Sequence, residues 1–425
     1  MKLLFLGTSN GTCEMVKYAK SQNIYTIVTD YLTPEKSAAK RIADEFWMID
    51  TSNIDVLEKE CISNCVNAIF CGVSGYNISF CMELCKRLKL PFYSSESARK
   101  ISIDKALFKQ KCREIGAPVA KDYFVSDDFL EEEIKDIQYP VVVKPVDQGA
   151  NLGISFCNNL AELKDAFKLV RSVSNNPAII VERKINGEEW FSSYAIKHGE
   201  VRFLSLNAMY HEPGYPSSVY CITTTATHHI EQYLKEINPK IEELLKHIGC
   251  TEGYAWVQVM RDNDDGKFYI IEMGYRLDGD LLYLPLKNLI DYDVTKVMID
   301  YACGINSDDN ILPEPQQKAM KKIGVGQRLW TSKECTITKI EGFDIIENIP
   351  GTNVEMRRNI GDHEDIFRPL GTITYTADNI DEMIKMINLI NETVHIYDEN
   401  YEDVLIKFTD TETIKKAYFE GLAGY

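Results

Sequence analysis

Residues 254–280 read YAWVQVMRDNDDGKFYIIEMGYRLDGD, and this stretch decides the fold. Tyr254–Met260 and Phe268–Met273 are apolar, β-branched and aromatic runs, the composition of strands. Between them, Asp262–Gly266 is a polar DNDDG turn, so the two runs predict an antiparallel hairpin. Partners across a hairpin can place two oxygen ligands on one face. Gln258 on the first strand and Glu272 on the second are the candidates, the kind of set a magnesium ion takes alongside phosphates and water. Arg276, four residues on, supplies a planar cation for a transferring phosphoryl group or an oxyanion.

Upstream of the hairpin stand further polar groups in apolar settings. YPVVVKP (139–145) is a buried-strand run carrying Lys144. A lysine there requires an anionic partner, because an unpaired buried charge is costly, and a polyphosphate would serve. The loop DQGANLG (147–153) follows; Gly149 and Gly153 let backbone N–H groups face phosphate oxygens closely. Glu182 closes the strand 178–182, the segment Arg183–Gly187 offers backbone groups to an adenine edge, and Glu189 is a natural acceptor for ribose hydroxyls. Lys105 lies earlier, on a helix-like segment 102–113 that IGAP (115–118) terminates. Taken singly, each residue also reads as a solvated or snorkelling side chain. Order and spacing give them joint meaning.

The flanks add two units. Leu3–Leu6, Tyr25–Thr29 and Ala68–Cys71 are short apolar strands separated by helical segments, which predicts a parallel α/β sheet over residues 1–103. Gly7 and Gly11 with Asp30 sketch a dinucleotide fingerprint, but G-x-x-x-G is incomplete and reads better as a strand-to-helix corner. Asn306–Gln317 reads as a linker. Short strands at 336–340, 351–356 and 371–375 and a helix at 380–394 predict an α+β unit over 307–425.

Composition sets the outer limits. The 425 residues are 45% hydrophobic and 26% charged, too many for one ordinary core. A formal net charge of −17 argues against a broad nucleic-acid-binding face. MKLLFLG at the amino terminus lacks the features of a signal peptide, and no run approaches a membrane span; a cytoplasmic location is the expectation. The twelve cysteines, including Cys61 with Cys65 and Cys81 with Cys85, read as reduced structural thiols. His228 and His229 read as a solvated turn.

The run D-K (104–105), VVVKP (141–145), the glycine loop, V-E-x-x-x-x-G-x-E (181–189) and Q…IEMGYR (258–276) resembles the ATP-grasp superfamily. The run E-x-x-x-R-L-x-G-D (272–280), with TKIEGF (338–343) and G-x-I-x-Y (371–375), is similar to L-amino-acid ligases and to the purine-pathway carboxylate–amine ligases. The resemblance implies an N-terminal parallel α/β domain (1–103), an ATP-grasp domain of two α+β subdomains (104–306, lid about 118–182) and a C-terminal α+β domain (307–425). It implies ATP and Mg2+, with Mn2+ as an alternative ion. Lys105 and Lys144 would hold phosphates, Arg183 and Ile185 would present backbone groups to adenine between Glu182 and the ribose-binding Glu189, and Gln258 and Glu272 would hold the metal. Lys144 and Arg276 would be catalytic, with Arg276 stabilising an acyl phosphate. Tyr210 and His211, in an aromatic segment after the strand 201–206, are candidates for substrate contact.

The implied reaction is ADP-forming: a small carboxylate is activated and passed to an amine. A bicarbonate-using carboxylate–amine ligase is the alternative within the superfamily. Many members have Asn where this chain has Gly274, so a nucleotide-binding protein with a degenerate site is the third reading. A homodimer is an allowed assembly; neither nucleic acid nor membrane is an expected partner.

Overall fold

The computed structural model describes all residues except 10, 148–151, 217, 226–227, 306–310, 316–319, 321 and 424–425. Gly149 therefore lies outside the described residues, as does most of the 306–317 stretch.

The amino-terminal unit is a parallel sheet. Its strands β1 (Lys2–Leu6), β2 (Tyr25–Thr29), β3 (Glu45–Trp47) and β4 (Ala68–Phe70) lie in the order β3-β2-β1-β4. Leu4, Leu6, Ile27 and Ile69 pack on one face with the helices Ile54–Ser63 and Gly75–Leu88. Gly7 has φ +83° and its amide donates to Thr29 O, turning the chain sharply at the end of β1. Asp30 accepts a hydrogen bond from Thr8 Oγ1 and is ion-paired with the buried Lys40 at 2.7 Å, so here the Gly7–Gly11 corner with Asp30 is a braced turn.

A four-stranded sheet follows, with β5 (Asp122–Tyr123), β6 (Val141–Pro145), β7 (Ser155–Cys157) and β8 (Ile179–Arg183) in the order β5-β8-β6-β7. The helix Leu160–Val173 buries Leu163, Ala166, Phe167 and Val170 against it, one stripe at helical spacing.

The third element is an eight-stranded sheet. It contains β9 (Gly187–Lys197), β10 (Glu200–His211), β11 (Tyr220–Thr225), β12 (Gly253–Asp262), β13 (Phe268–Gly274) and β14 (Ile323–Trp330). Two short ladders pair β15 (Cys335–Thr336) with β18 (His363–Glu364) and β16 (Lys339–Glu341) with β20 (His395–Tyr397). The remaining strands, β17 (Asn353–Met356) and β19 (Pro369–Ala377), complete the large sheet in the order β13-β12-β9-β10-β11-β14-β19-β17. The carboxy-terminal strands thus continue the central sheet through the β11–β14 pairing.

Four readings of the sequence are corrected. The segment 102–113 is two helices, Glu96–Ile103 and Lys105–Glu114, because the Asp104 carboxylate accepts from the amides of Ala106 and Leu107 and caps the second. The strand read as 201–206 runs on to His211, held by β11 on its far side. His228 is buried: its ring packs against that of Trp190, centroids 4.5 Å apart and tilted by 52°, and its Nε2 lies 3.1 Å from Glu188 Oε2. Cys65 has φ +54° beyond the end of the helix Ile54–Ser63 and is exposed, so it shares no helix face with the buried Cys61. All twelve cysteines are free thiols. No helix among the described residues is long and apolar enough to cross a membrane.

Candidate active site

The β12–β13 hairpin forms as its sequence requires, and Gln258 and Glu272 are direct cross-strand partners. A register shift between Gln258 and Val259 marks a bulge beside them, a common device for aiming a side chain. Gln258 Nε2 donates to Glu189 on β9, and Lys105 Nζ lies 3.5 Å from Glu272 Oε2. Burial and the charge of Glu272 push the Glu189 carboxyl up to about 7. Two carboxylates, a glutamine and a lysine thus share one end of the hairpin face. Gln258 and Glu272 offer side-chain oxygens for a hard divalent ion, with room in the ion's coordination for phosphate and water.

The second cluster lies on the β6–β8 sheet. Lys144 Nζ is 2.5 Å from Glu182 Oε1, and Lys109 also pairs with Glu182 and, at 2.5 Å, with Asp122. Burial pushes the Glu182 carboxyl up, but the charges of Lys144 and Lys109 hold it below the ordinary range. The anionic partner that Lys144 requires is therefore supplied by the protein itself. The Arg183 amide is engaged by Lys121 O at 2.8 Å and its guanidinium by Asp262 at 2.5 Å. The Ile185 amide meets no acceptor among the described residues, which leaves it the better placed of the two to address a base edge. Gly153 has φ +78° and approaches Pro145 and Val173 so closely that a Cβ would fall 2.8 Å from Val173.

Arg276 is held by the hairpin. Its guanidinium sits 5.1 Å from the Trp256 ring, and its Nη1 donates to Leu277 O. Trp256 faces Gly274 across the hairpin. A Cβ on Gly274 would lie 2.3–2.5 Å from three indole atoms, so the asparagine expected there has no room.

Two further charged groups beside Asp280, Arg328 and Arg357, escaped the sequence reading. Arg328 on β14 is ion-paired with Asp280 at 2.9 Å and donates to Tyr220, whose hydroxyl donates to Asp280 Oδ2 at 2.6 Å. Arg357 donates to Gly279 O and Thr372 Oγ1, both at 2.9 Å. Burial and the nearby Arg328 charge lower its guanidinium to about 10. The only sequence signals were Asp280, already inside the run 272–280, and an arginine in the apolar run VGQRLW (325–330). His211 approaches this cluster, its ring 6.3 Å from that of Tyr220. Tyr210 lines a crevice with Thr224, Ile380, Met383 and Tyr418 beneath the carboxy-terminal helices, and it also lines a larger cavity together with His211, Glu188, Glu189 and His228.

Residues 117–275 match the family model described as D-ala D-ala ligase C-terminus. The chain is 25% identical over 243 residues to a D-alanine–D-alanine ligase of Buchnera aphidicola subsp. Schizaphis graminum, covering 53% of this chain and 76% of that relative. Its fold is similar to L-amino acid ligase from Bacillus licheniformis, with a TM-score of 0.74 at 17% identity, over 94% of this chain and 99% of the other. It is also similar to the biotin carboxylase domain of Hydrogenobacter thermophilus 2-oxoglutarate carboxylase, with a TM-score of 0.76 at 18% identity, over 93% of this chain and 90% of the other.

Proposed function

We propose that this chain, whose residues 117–275 match the D-ala D-ala ligase C-terminus model and whose fold is similar to that of L-amino acid ligase, uses ATP to join a small carboxylic acid to an amine. The observation that carries this reading is the Gln258–Glu272 cross-strand pair, with Lys105 beside it and Arg276 one turn of chain beyond.

A carboxylate oxygen attacks the γ-phosphorus, ADP leaves, and an acyl phosphate remains. The amine then attacks the acyl carbon, phosphate leaves with the C–O bond electrons, and the amine loses a proton. Gln258 and Glu272 would hold magnesium, which would supply charge neutralisation for the phosphates. Lys105 and Lys144 position the phosphates, which requires the Lys144–Glu182 pair to share its lysine with the nucleotide. The backbone of Ile185, between Glu182 and Glu189, would address the base, and Glu189 the ribose. The guanidinium of Arg276, fixed by Trp256, stabilises the transferring group without reorganising. Arg328, held by Asp280 and Tyr220, is the cation for the carboxylate to be activated.

The test is ADP release by the purified chain with ATP and Mg2+, against pools of amino acids, small acids and bicarbonate with amines, with mass spectrometry of the products. An amide whose formation matches ADP release is expected. ATP binding without ADP from any pool overturns the reading.

A further inference from the structure

The register of three neighbouring strands sets a row of polar groups on one face of the large sheet. Arg328 on β14 is the direct partner of Thr372 on β19, and Thr372 is the direct partner of Glu355 on β17. Arg357 follows Glu355 by two residues, which in extended chain returns its side chain to the same face. Its Nη2 reaches back to Thr372 Oγ1 at 2.9 Å. The segment 279–280 lies against this row: Asp280 is ion-paired with Arg328, and Gly279 O accepts from Arg357 Nη2. Two guanidiniums are thus pinned to consecutive residues. There is room between them and the chain, since a Cβ on Gly279 would meet no atom beyond its chain neighbours within 4 Å. The Nε atoms of both arginines are buried without a hydrogen-bond partner among the described residues.

The two arginines are not equally served. Arg328 has Asp280 at 2.9 Å and the Tyr220 hydroxyl beside it. Burial lowers its pKa, but Asp280, Tyr220 and Asp278 raise it past the ordinary value. Arg357 has no carboxylate within ion-pair distance among the described residues. Asp280 and Glu355 act on it from farther off, yet burial and the Arg328 charge outweigh them and lower it to about 10. Asp280 also acts on Arg276, so one carboxylate serves three arginines. Glu355 compensates only in part: burial pushes its carboxyl up to about 7, and it already accepts from the Gly11 amide. A further anion beside Arg357 would offset the burial of its charge.

We propose that Arg357, with Thr372 and the open space beside Gly279, binds a second carboxylate of the acid substrate, which makes that substrate a dicarboxylic acid. The proposal rests on the ligase reading above, in which Arg328 receives the carboxylate to be activated. Arg328 and Thr372 sit on neighbouring strands, roughly 5 Å apart, a separation that a four- or five-carbon diacid spans. The carboxylate at Arg328 attacks the γ-phosphorus. The one at Arg357 stays ionised and unreacted, so the product is a monoamide that keeps one free acid. Arg357 is then a specificity residue, since it meets the substrate away from the reacting atoms.

The experiment compares succinate, glutarate, aspartate and glutamate with their monoamides as the acid, using the full chain, ATP, Mg2+ and the amines above. At least one diacid should show a KM about 10- to 100-fold below that of its monoamides, since a charge-assisted pair is gained. Mass spectrometry should find one free carboxylate in its product. Arg357→Gln should raise the KM for that diacid by about the same factor and bring the ratio close to one. Arg357→Lys, which keeps the charge, should retain part of the ratio. ADP release from other acids without any diacid preference overturns the subsite while the ligase reading stands. An equal rise of both KM values in Arg357→Gln also overturns it, because a merely structural role would act on both acids alike.

Melting temperatures cover a preparation that releases no ADP. With Mg2+ and a non-hydrolysable ATP analogue, a diacid should raise the wild-type melting temperature more than its monoamide does at matched ionic strength, and Arg357→Gln should abolish the difference. No difference in the wild type for any diacid, or one that survives Arg357→Gln, overturns the subsite. ATP binding without ADP release from any acid overturns only the ligase reading.

Discussion

Trp256 and Gly274 oppose each other across the hairpin, and the indole fills the space a side chain at 274 would need. The same ring carries the Arg276 guanidinium. The missing asparagine is thus the cost of an aromatic support for the arginine. A glycine in a strand interior weakens it, so a close approach is the usual reason for one. Gly274→Asn should therefore not restore a metal ligand. It should destabilise the chain by about 1–3 kcal/mol or more through overpacking, read from urea denaturation. Trp256→Ala with Gly274→Asn should recover stability relative to Gly274→Asn alone. A stable Gly274→Asn variant with tighter Mn2+ binding would contradict this packing.

Lys109 is the hidden partner of the Lys144–Glu182 cluster. It is almost fully buried and joins Glu182 to Asp122. Removing it leaves Glu182 with Lys144 alone. Lys109→Met should cost roughly 3 kcal/mol, the scale for breaking a buried charged network from one side. Lys144 would also be held more tightly by Glu182, so ATP affinity should fall. Denaturation and fluorescence titration with a nucleotide analogue measure the two effects.

Lys109 shows why part of the site was legible and part was not. The hairpin, the parallel sheet and the helix 380–393 follow local rules of period and turn chemistry, and their sequence reads directly into structure. Lys105 and Lys144 stood out because each sits in an informative local pattern. Lys109 lies four residues after Lys105, on the same helix face, but its partners come from β5 and β8, which only the tertiary fold brings near.

β14 was missed for a similar reason. Gly324 and Gly326 interrupt its pattern because Leu289 and Leu282 press on them from the neighbouring segment. That strand carries Arg328, so losing the strand lost the residue. The burial of His228 beneath Trp190 likewise depends on the fold rather than on the residues next to it in sequence.

Arg328→Lys tests the proposed role of Arg328 as the cation for the substrate carboxylate. Lysine keeps the charge but cannot reach Asp280 and Tyr220 together with a planar fork. A fall in kcat of about 100- to 1,000-fold is expected, the range for losing one preorganised donor in a transition state. Nucleotide affinity should change little, since the partners of Arg328 are Asp280 and Tyr220 rather than Lys144 or Glu182. An equal loss of ATP binding would assign Arg328 to the nucleotide instead. Steady-state kinetics and binding titration separate the outcomes.

The pH dependence of stability has a definite sign. Glu189 is pushed up to about 7 by burial and by Glu272, and Asp278 to about 6 by burial and by Asp280. A carboxyl whose folded value lies above its unfolded value binds more protons in the folded state. Its stabilising contribution is complete below the unfolded value of about 4 and is lost as pH rises through the folded value. The ligand-free chain should therefore lose stability between about pH 5 and pH 8. Glu189→Gln removes the contribution on the order of 2 kcal/mol that this residue makes to the slope, and its melting temperature should vary less across that window. Thermal melts in half-unit pH steps compare the two proteins. Parallel slopes would mean that Glu189 meets solvent freely, and the packing of Gln258 over it would then need another account.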